Sequence, residues 1–375
     1  MCLLDLSSAF DTIDHGILLH RLEHRFGVTG LALSWLASYL HQRHQTVEIN
    51  GSRSSPQLLL TGVPQGSVLG PILFTMYMSP LGDLIREHGC RYTCYADDTQ
   101  LYFNINRNDL TSFVSSIEES LMKIRLWMST NKLKLNDGKT EIIHIRSRFR
   151  EEPSGPVSIQ MGDINISPSE TVKNLGVVFD EFMKMDAHIK NLVRSSYAAI
   201  RKIGHLREYL DKRSTEKLVH AFISSRLDYC NSLLYGIPDN LLCHLQRLQN
   251  TAARIVTRTR KHDHISPVLH SLHWLPVRHR ISFKILLLTY KSIHGHAPLY
   301  LQDIIQVYQP RRSLRSSKST SLVIQRVNTN TYGGRSFASA AAVLWNRLPD
   351  EAKTCDDLVT FKTKIKTLLF SEAFN

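Results

Sequence analysis

Two adjacent aspartates, Asp97 and Asp98, stand between two apolar segments of strand-like composition. Neighbouring carboxylates in a hairpin turn repel each other unless cations neutralise them, and carboxylate oxygens are ligands that Mg²⁺ prefers. The pair therefore points to a metal site. An ordinary turn is the alternative interpretation, because Asp is common in turns. The pair alone does not choose between the two.

A third carboxylate, Asp5, follows the apolar start of a predicted strand at Leu3–Ser7. If this strand pairs beside the Asp97-Asp98 hairpin, three carboxylates meet at one edge of a sheet. Such a set can hold two metal ions about 3.5–4 Å apart, one activating an attacking hydroxyl and one holding a triphosphate. This chemistry depends mainly on positioning and on charge neutralisation. The three residues thus predict metal-dependent phosphoryl transfer.

The elements that must position these carboxylates alternate between strand and helix patterns in the first half of the chain. Asn50-Gly51 predicts a hairpin, Asp97-Asp98 a tight turn and segment 157–166 a second hairpin. From about residue 185 the apolar spacing becomes helical, so the predicted class is α+β. We predict helices at 17–26, 31–41, 68–88 and 110–130, and further strands at 46–49, 57–60, 91–96, 99–103 and 141–146.

Composition excludes several classes of protein. A hydrophobic fraction of 42% and a charged fraction of 21% are typical of a globular chain. No apolar run approaches the roughly 20 residues that span a bilayer, and the N-terminus lacks the basic segment of a signal peptide. The six cysteines are scattered, which favours a reducing compartment over a disulfide framework. Cys90 and Cys94 are close in sequence, but we interpret them as strand residues rather than half of a zinc site.

The net charge of +13 is unevenly distributed along the chain. Residues 1–180 hold 16 Lys and Arg against 19 Asp and Glu, a balance of −3, whereas residues 181–375 hold 30 against 14, a balance of +16. This segregation favours chemistry in the first part and polyanion binding in the second. A merely solubilising surface, the alternative, predicts mixed signs.

Five segments resemble, in order, motifs A to E of reverse transcriptases, in the form typical of non-LTR (LINE-type) retrotransposons. Segments 273–278 and 344–349 are similar to the C-terminal part of jockey-like elements. In that family a fingers region precedes motif A, so a chain with Met1 almost at the motif is expected to be N-terminally truncated. The five segments are Asp5–His15 for A, Gly62–Pro71 for B, Tyr95–Asp98 for C, Asn131–Asn136 with Lys139–Glu141 for D, and Lys173–Val177 for E.

The resemblance implies a role for each matching residue. Asp5, Asp97 and Asp98 are the expected catalytic residues and ligands of two Mg²⁺ ions, with Mn²⁺ as the alternative metal. Phe10 matches a steric gate against the ribose 2′-hydroxyl, and Lys139 matches a proton donor to the leaving pyrophosphate. A core aromatic, a solvated lysine and a plain turn at Gln65-Gly66 are the alternatives. The expected nucleotide-binding residues are Phe10, Gln65, Gly66 and Lys139, and the expected primer and template contacts are Tyr95, Leu175 and Gly176.

The resemblance also implies an architecture and an activity. We expect a palm with an antiparallel sheet flanked by helices at 1–180, a helical thumb at 181–260 and a basic, mainly helical C-terminal region at 261–375. The implied activity is RNA-directed DNA polymerisation. The implied partners are an RNA template, a DNA primer or target DNA, and deoxynucleoside triphosphates, and no membrane is implied. An inactive remnant that binds RNA or RNA–DNA hybrid is the alternative interpretation, and a relic open reading frame without a selected function is the third interpretation. The implied location is intracellular, nuclear and cytoplasmic, although no targeting signal is present.

The basic second half offers candidate nucleic-acid contacts. Arg247, Arg254 and Arg258 follow at i, i+7 and i+11 on a predicted helix, a stripe suited to duplex phosphates, with a solvated face as the alternative. Five histidines at 262–279 lack the tight spacing of a metal site, so we expect packing instead. A basic linker at 309–318 is either a flexible RNA-binding arm or a simple connection; its cations are Arg311, Arg312, Arg315 and Lys318.

Overall fold

The computed structural model describes residues 1–105, 110–147, 158–162, 164–309 and 320–375. The chain divides into two compact units, Met1–Asn174 and Leu175–Asn375. Three predictions lie wholly or partly outside the described residues. They are the second hairpin at Val157 and Asp163, the linker Gln309–Lys318 beyond its first residue, and the basic arm of Arg311, Arg312, Arg315 and Lys318.

The first unit combines short strands with four described helices. Its helices are α1 (His15–His24), α2 (Gly30–Leu40), α3 (Gly70–Glu87) and α4 (Leu110–Thr130). Its strands are β1 (Cys2–Leu4), β2 (Leu6–Ser7), β3 (His44–Gln45), β4 (Glu48–Ile49), β5 (Ser52–Arg53), β6 (Gln57–Leu58), β7 (Arg91–Tyr95), β8 (Asp98–Tyr102), β9 (Lys134–Leu135), β10 (Glu141–Ile142), β11 (Ile159–Met161), β12 (Ile164–Ile166) and β13 (Thr171–Asn174).

A four-stranded antiparallel sheet with the order β10-β1-β8-β7 forms the centre of this unit. Helices α3 and α4 contribute many of the buried apolar side chains of this unit. Phe74, Tyr77 and Leu121 are fully buried there, together with Leu101 from the sheet itself. Helix α1 begins where Asp14 caps it, because the Asp14 carboxylate accepts a hydrogen bond of 2.9 Å from the backbone N–H of Ile17.

The predicted strand at Leu3–Ser7 is interrupted at Asp5, which is a correction to the sequence analysis. Strand β1 pairs with β8 and β10, whereas β2 pairs with β9, and Asp5 lies between them in neither strand. The break arises in the segment that pairs with β1 and β2. There a 3₁₀ turn at Asp137–Lys139 separates β9 from β10, so the hydrogen-bonded ladder is interrupted opposite Asp5.

The Asn50-Gly51 turn forms as predicted, but the strand that follows it is different. Asn50 and Gly51 both have positive φ, 49° and 82°, and connect the paired strands β4 and β5. The predicted return strand at 57–60 appears as β6 and pairs instead with β3, one step further from the turn. The hairpin is therefore a longer ribbon than the sequence pattern indicated.

The second unit is helical apart from its first strand and one isolated bridge in its described residues. Its elements are β14 (Val177–Asp180), α5 (Asp186–Leu206), α6 (Lys212–Val219), α7 (Ser225–Asp228), α8 (Asp239–Thr257), α9 (Ser266–Ser271), α10 (Val277–Ile293), α11 (Leu299–Gln302), α12 (Phe337–Asn346), α13 (Asp350–Lys353) and α14 (Leu358–Phe374). A π-helical segment at His220–Ser224 joins α6 to α7.

Two apolar clusters hold the second unit together. The larger contains Leu245, Leu248 and Val256 from α8, and the smaller contains Trp345 and Phe361 from α12 and α14. No helix within the described ranges is long and apolar enough to cross a membrane. The mixture of helices and small antiparallel sheets confirms the predicted α+β class, and the division at residues 180 and 260 stays a prediction.

Candidate active site

The acidic hairpin forms between β7 and β8, with a turn one residue earlier than predicted. Tyr95 and Asp98 are paired residues, so the two-residue turn is Ala96-Asp97 rather than Asp97-Asp98. Ala96 has φ 52°, which gives the primed geometry that matches the twist of a hairpin. Asp98 is consequently the first residue of β8, and its side chain position is fixed by the sheet.

The sheet register brings Asp5 next to this hairpin. Leu4, the last residue of β1, pairs with Thr99 of β8. Because the two strands are antiparallel, Asp5, which follows Leu4, comes next to Asp98, which precedes Thr99. Burial, then the charge of Asp97 and then that of Asp5, raise the pKa of Asp98 above its ordinary value. The three predicted carboxylates therefore lie close enough to repel one another.

Lys139 is the cation nearest to these carboxylates in the described structure. Its Nζ lies 3.5 Å from Oδ2 of Asp5, although 70% of the lysine side chain is exposed. The same Oδ2 is buried and accepts no hydrogen bond from the described residues. The 3₁₀ turn that carries Lys139 is attached to Asp5 through the residue before the turn. The Asp5 carbonyl accepts a hydrogen bond of 2.9 Å from the backbone N–H of Asn136.

An ion pair fixes the same 3₁₀ turn on its other side. The guanidinium of Arg125, on α4, donates two hydrogen bonds of 3.0 Å to the carboxylate of Asp137. Both side chains are mostly buried, with 36% and 24% exposed. A bidentate pair of this kind restrains both partners, so Arg125 positions the turn that places Lys139 beside Asp5.

The carboxylate group fits a divalent cation by its donors but is not a preassembled metal site. A buried carboxylate oxygen without a hydrogen-bond partner and a second carboxylate with a raised pKa both gain from a nearby cation. Nevertheless, no three His, Cys, Asp or Glu residues converge tightly enough to hold an ion in the part of the chain that the structure describes.

Phe10 lies on the loop after β2. Its ring stacks on Phe74 of α3, with centroids 4.6 Å apart and planes 24° apart. Because Phe74 is fully buried, it gives the Phe10 ring a rigid support. The contact is compatible with a positioned gate and also with an ordinary core aromatic.

Gln65 and Gly66 lie in a loop that is attached to the loop of Phe10. Gln65 donates 3.2 Å to a carboxylate oxygen of Asp11. Gly66 has φ 83°, and a Cβ at this position would have no heavy atom within 4 Å. The space above Gly66 is therefore open for a bound molecule to approach the backbone.

Two residues that the sequence analysis did not single out, Gly62 and His15, connect the loop of Phe10 with the loop of Gln65 and Gly66. The backbone of Gly62 approaches Asp11 so closely that a Cβ would lie 3.0 Å from the Asp11 Cα. Its carbonyl is 2.8 Å from Nε2 of His15, and its N–H donates 2.8 Å to Ile13. A positive φ of 90° explains why glycine stands here, and Gly-Val-Pro-Gln-Gly in the sequence was the available signal.

The predicted primer contacts lie at exposed turns. Tyr95 ends β7 with 66% of its surface exposed. Leu175 and Gly176, with φ 45° and 82°, form the two-residue turn between β13 and β14. The Tyr229 hydroxyl donates 2.6 Å to the Leu175 carbonyl, which fixes the start of the second unit.

The arginine stripe on α8 is shorter than predicted, because Arg258 lies in the left-handed cap that ends the helix, with φ 58°. Its guanidinium donates to the Arg207 carbonyl at 3.2 Å. Arg254 donates to the carbonyls of Arg260 and Asp263, at 2.5 and 2.8 Å. Arg247 is exposed on the helix. Its role and those of the other two arginines stay predictions.

The histidines at 262–279 do not assemble a metal site among the described residues, and two of them pack on aromatic rings. His270 lies 5.0 Å from the ring of Phe370, and His273 stacks on the same ring at 5.8 Å. His279 is half-buried, and burial lowers its pKa.

Residues 1–179 match the reverse transcriptase (RNA-dependent DNA polymerase) family. This range contains every residue of the carboxylate group and of the loops attached to it, so it belongs to that family. Over 68% of its length, the chain is similar to RNA-directed DNA polymerases of mobile elements.

Three relatives from flies show this relationship. The probable RNA-directed DNA polymerase from transposon BS of Drosophila melanogaster is 27% identical over 271 residues. The polymerase from mobile element jockey of Drosophila funebris and the probable polymerase from transposon X-element of Drosophila melanogaster are each 24% identical, over 265 and 262 residues. Each match covers 68% of this chain and 28% of the relative, so the chain spans little more than a quarter of their length.

Among solved structures, a telomerase from Candida albicans in complex with a TWJ fragment of telomeric RNA matches with a TM-score of 0.31 and 14% identity. The match covers 76% of this chain and 46% of the telomerase chain.

Proposed function

We propose that the chain is the core of an RNA-directed DNA polymerase that adds deoxynucleotides to a primer 3′-hydroxyl. The observation that carries the proposal is the meeting of Asp5 and Asp98 through the register of β1 and β8. This register places the aspartates of motifs A and C side by side, with the loops of motif B attached to motif A. Family membership of residues 1–179 supports the same reaction.

The proposed metal ligands are Asp5, Asp97 and Asp98. When bound, two divalent ions, Mg²⁺ or Mn²⁺, supply charge neutralisation for the triphosphate and acidify the attacking hydroxyl. The raised pKa of Asp98 and the buried Asp5 oxygen without a hydrogen bond support a site that gains from added positive charge. The protein itself holds Asp5 between β1 and β2, Asp97 in the hairpin turn and Asp98 at the start of β8, and it places Lys139 beside Asp5.

Lys139 is the proposed proton donor to the leaving pyrophosphate. Its ammonium is close to Asp5 and largely exposed, so it can reach a phosphate oxygen bound at the carboxylates. The 3₁₀ turn and the Arg125–Asp137 pair limit the region that Nζ explores. Removing Lys139 should therefore slow the chemical step more than it weakens substrate binding.

The proposed nucleotide pocket consists of Phe10, Gln65 and Gly66. The supported ring of Phe10 excludes a ribose 2′-hydroxyl, which favours deoxynucleotides. The open backbone at Gly66 and the neighbouring amide of Gln65 contact the incoming nucleotide and the template base. Tyr95, exposed at the end of β7, packs beside the primer terminus.

We assign the palm to residues 1–180, the thumb to 181–260 and a basic C-terminal region to 261–375. The turn at Leu175-Gly176 serves as the primer grip. Arg247, on the exposed side of α8, contacts phosphates of the template–primer duplex, and the balance of +16 over residues 181–375 attracts RNA and DNA without regard to sequence. Arg254 and Arg258 support this surface through their loop contacts.

Template-directed incorporation tests the proposal. The chain is incubated with dTTP and Mg²⁺ on poly(rA) primed with oligo(dT), and without template as a blank. The matched variants are Asp5→Asn and Glu87→Gln, which neutralise one carboxylate at the site and one exposed carboxylate of α3. Incorporation that needs the RNA template and is lost only in Asp5→Asn supports the polymerase. If well-folded protein binds the hybrid but incorporates nothing, the chain is a nucleic-acid-binding remnant.

A further inference from the structure

A cavity of about 420 Å³ lies entirely within the second unit, away from every residue assigned above. Its walls come from α6 with the π-helical segment, from the 3₁₀ turn at Asn231–Leu234, from the loop after α9, and from α10 and α14. The volume falls in the range of small-molecule and cofactor sites.

The cavity combines aromatic walls with two unpaired cations. Trp274 and Phe283 line it, and His273 is held in place by its stacking on Phe370. Lys284 and Lys366 also line it, and neither forms an ion pair with a carboxylate of the described residues. Because ammonium groups are strongly hydrated point charges, two that face one cavity favour an anion with several oxygens.

One of the two acidic groups of the cavity is paired with an arginine. The Asp228 carboxylate accepts from the guanidinium of Arg280, with Nε 2.8 Å from Oδ1. Glu216 lies 3.6 Å from Nε2 of His220. Counting Lys, Arg, Asp and Glu, the lining carries three cations against two carboxylates, a balance of +1.

A buried acceptor in the same wall lacks a donor. Asn231 is 2% exposed, and its side-chain oxygen has no hydrogen-bond partner in the described structure. Buried polar groups are almost always hydrogen-bonded, and each exception calls for a physical explanation.

The backbone around the cavity departs from regular structure at two places. His273 has φ 55°, a left-handed conformation that a residue with a side chain adopts at a cost. His220 lies in a π-helical segment, a form found mostly as single turns at functional sites, and its ring packs against Trp274 at 5.2 Å. Both irregular residues face the cavity.

We propose that this cavity binds one unpaired nucleotide, with the base against Trp274 and Phe283 and the phosphate on Lys284 and Lys366. Bases stack on aromatic side chains in single-strand recognition, and their N–H groups suit the free oxygen of Asn231. The nucleotide comes either from a single strand held by the basic second unit or from solution. None of the cavity residues belongs to the first unit, so binding at the cavity can be measured without a polymerase readout.

Binding measurements on the full chain test the site without any polymerase readout. The probes are a fluorescein-labelled single-stranded 12-nucleotide RNA, followed by anisotropy, and AMP, followed by ligand-observed NMR with ribose 5-phosphate as the base-free comparison. The variants are Lys284→Ala/Lys366→Ala and, for charge rescue, Lys284→Arg/Lys366→Arg. The matched control is Lys190→Ala/Lys202→Ala, which removes two exposed lysines from α5.

We expect the pocket pair to weaken binding of at least one nucleotide probe by about tenfold relative to the control pair, with recovery in the arginine variant. Loss with the RNA alone identifies a strand as the source, and loss with AMP identifies a free nucleotide. Equal Kd values for the pocket and control pairs with both probes overturn the proposal. Binding of ribose 5-phosphate as tight as that of AMP overturns the assignment of the base.

Discussion

Asp98 illustrates how the sheet sets the chemistry of a single side chain. Its carboxylate is placed by strand pairing between Asp97 and Asp5, and partial burial removes water that would otherwise stabilise its charge. The ionised form is therefore unfavourable until a cation arrives. An ionised Asp98 must therefore weaken the fold slightly, and the proposed metal ions would remove that cost.

Neutralising Asp98 should stabilise the fold at neutral pH. A raised folded-state pKa means that ionised Asp98 costs stability above that pKa, and that the cost disappears as the pH falls and the carboxyl is protonated. Asp98→Asn should therefore raise Tm at pH 7 without Mg²⁺, and the gain should vanish in acid. Thermal unfolding followed by circular dichroism from pH 3 to pH 8 measures this.

Asp83→Asn is the control of opposite sign. Hydrogen bonds from Arg25 and Arg86 lower the pKa of Asp83, so its charge stabilises the fold at neutral pH. The asparagine variant should lower Tm at pH 7, and the loss should disappear in acid. A lower Tm for Asp98→Asn at pH 7 would contradict the described crowding of the carboxylates.

Shortening Phe10 should relax the choice of sugar. Phe10→Val leaves Phe74 in place but removes the ring proposed to meet a 2′-hydroxyl. The ratio of kcat/KM for dNTP over rNTP should fall by about tenfold or more. Phe113→Val, which shortens another partly buried aromatic of the same core, should leave the ratio unchanged. An unchanged ratio in both variants would make Phe10 an ordinary core residue.

At the scale of elements, the site depends on interruptions of regular structure. The 3₁₀ turn breaks the ladder opposite Asp5 and carries Lys139, and the motif B loop is attached to the motif A loop through Gly62. Both features hold proposed functional residues at positions that an uninterrupted strand would not provide. The elements that carry them should tolerate little change.

Alanine substitutions at two glycines should separate conformational strain from steric contact. Gly66→Ala introduces a side chain at positive φ in open space, which should cost about 1–2 kcal/mol of unfolding free energy. Gly62→Ala adds a Cβ that lies 3.0 Å from backbone atoms of Asp11, so its cost should be larger by about 1–3 kcal/mol. Urea unfolding measures both, and equal losses would contradict the close loop contact.

Helices and the α+β class could be predicted from the sequence because apolar periodicity is local. Helix α4 has the predicted bounds, and α3 differs by two residues at its start. The break at Asp5 could not be predicted, since it depends on a turn more than 130 residues away. The turn at Ala96-Asp97 was misplaced by one residue because both registers suit Asp, and Arg258 was assigned to α8 because periodicity does not reveal a left-handed cap.

At the scale of the whole molecule, charge is divided between chemistry and binding. Residues 181–375 carry a balance of +16, whereas residues 1–180 carry −3 and include the three aspartates. Binding of an RNA–DNA hybrid should therefore depend strongly on salt, because each phosphate contact releases counterions. Catalysis and affinity should accordingly be separable by substitution.

Two arginines of α8 offer a matched test of this division. Arg247→Ala removes an exposed charge, so it should reduce the slope of log K against log salt by about 0.9 without lowering Tm. Arg254→Ala removes hydrogen bonds to the carbonyls of Arg260 and Asp263, so it should also lower Tm. Anisotropy titrations at several salt concentrations, with thermal unfolding beside them, distinguish the two. Identical behaviour would contradict the assignment of Arg247 to phosphate contact.

The most direct test of the central proposal is primer extension on a heteropolymeric RNA template with Mg²⁺, comparing the chain with its Asp97→Ala/Asp98→Ala variant. Hybrid binding and thermal unfolding are measured on the same preparations, so that a folded and binding-competent variant is assured. We predict extension by the chain and none by the variant, with equal hybrid affinity at high salt. Extension that persists in the variant, or its absence in folded wild-type protein, would contradict a polymerase centred on these carboxylates.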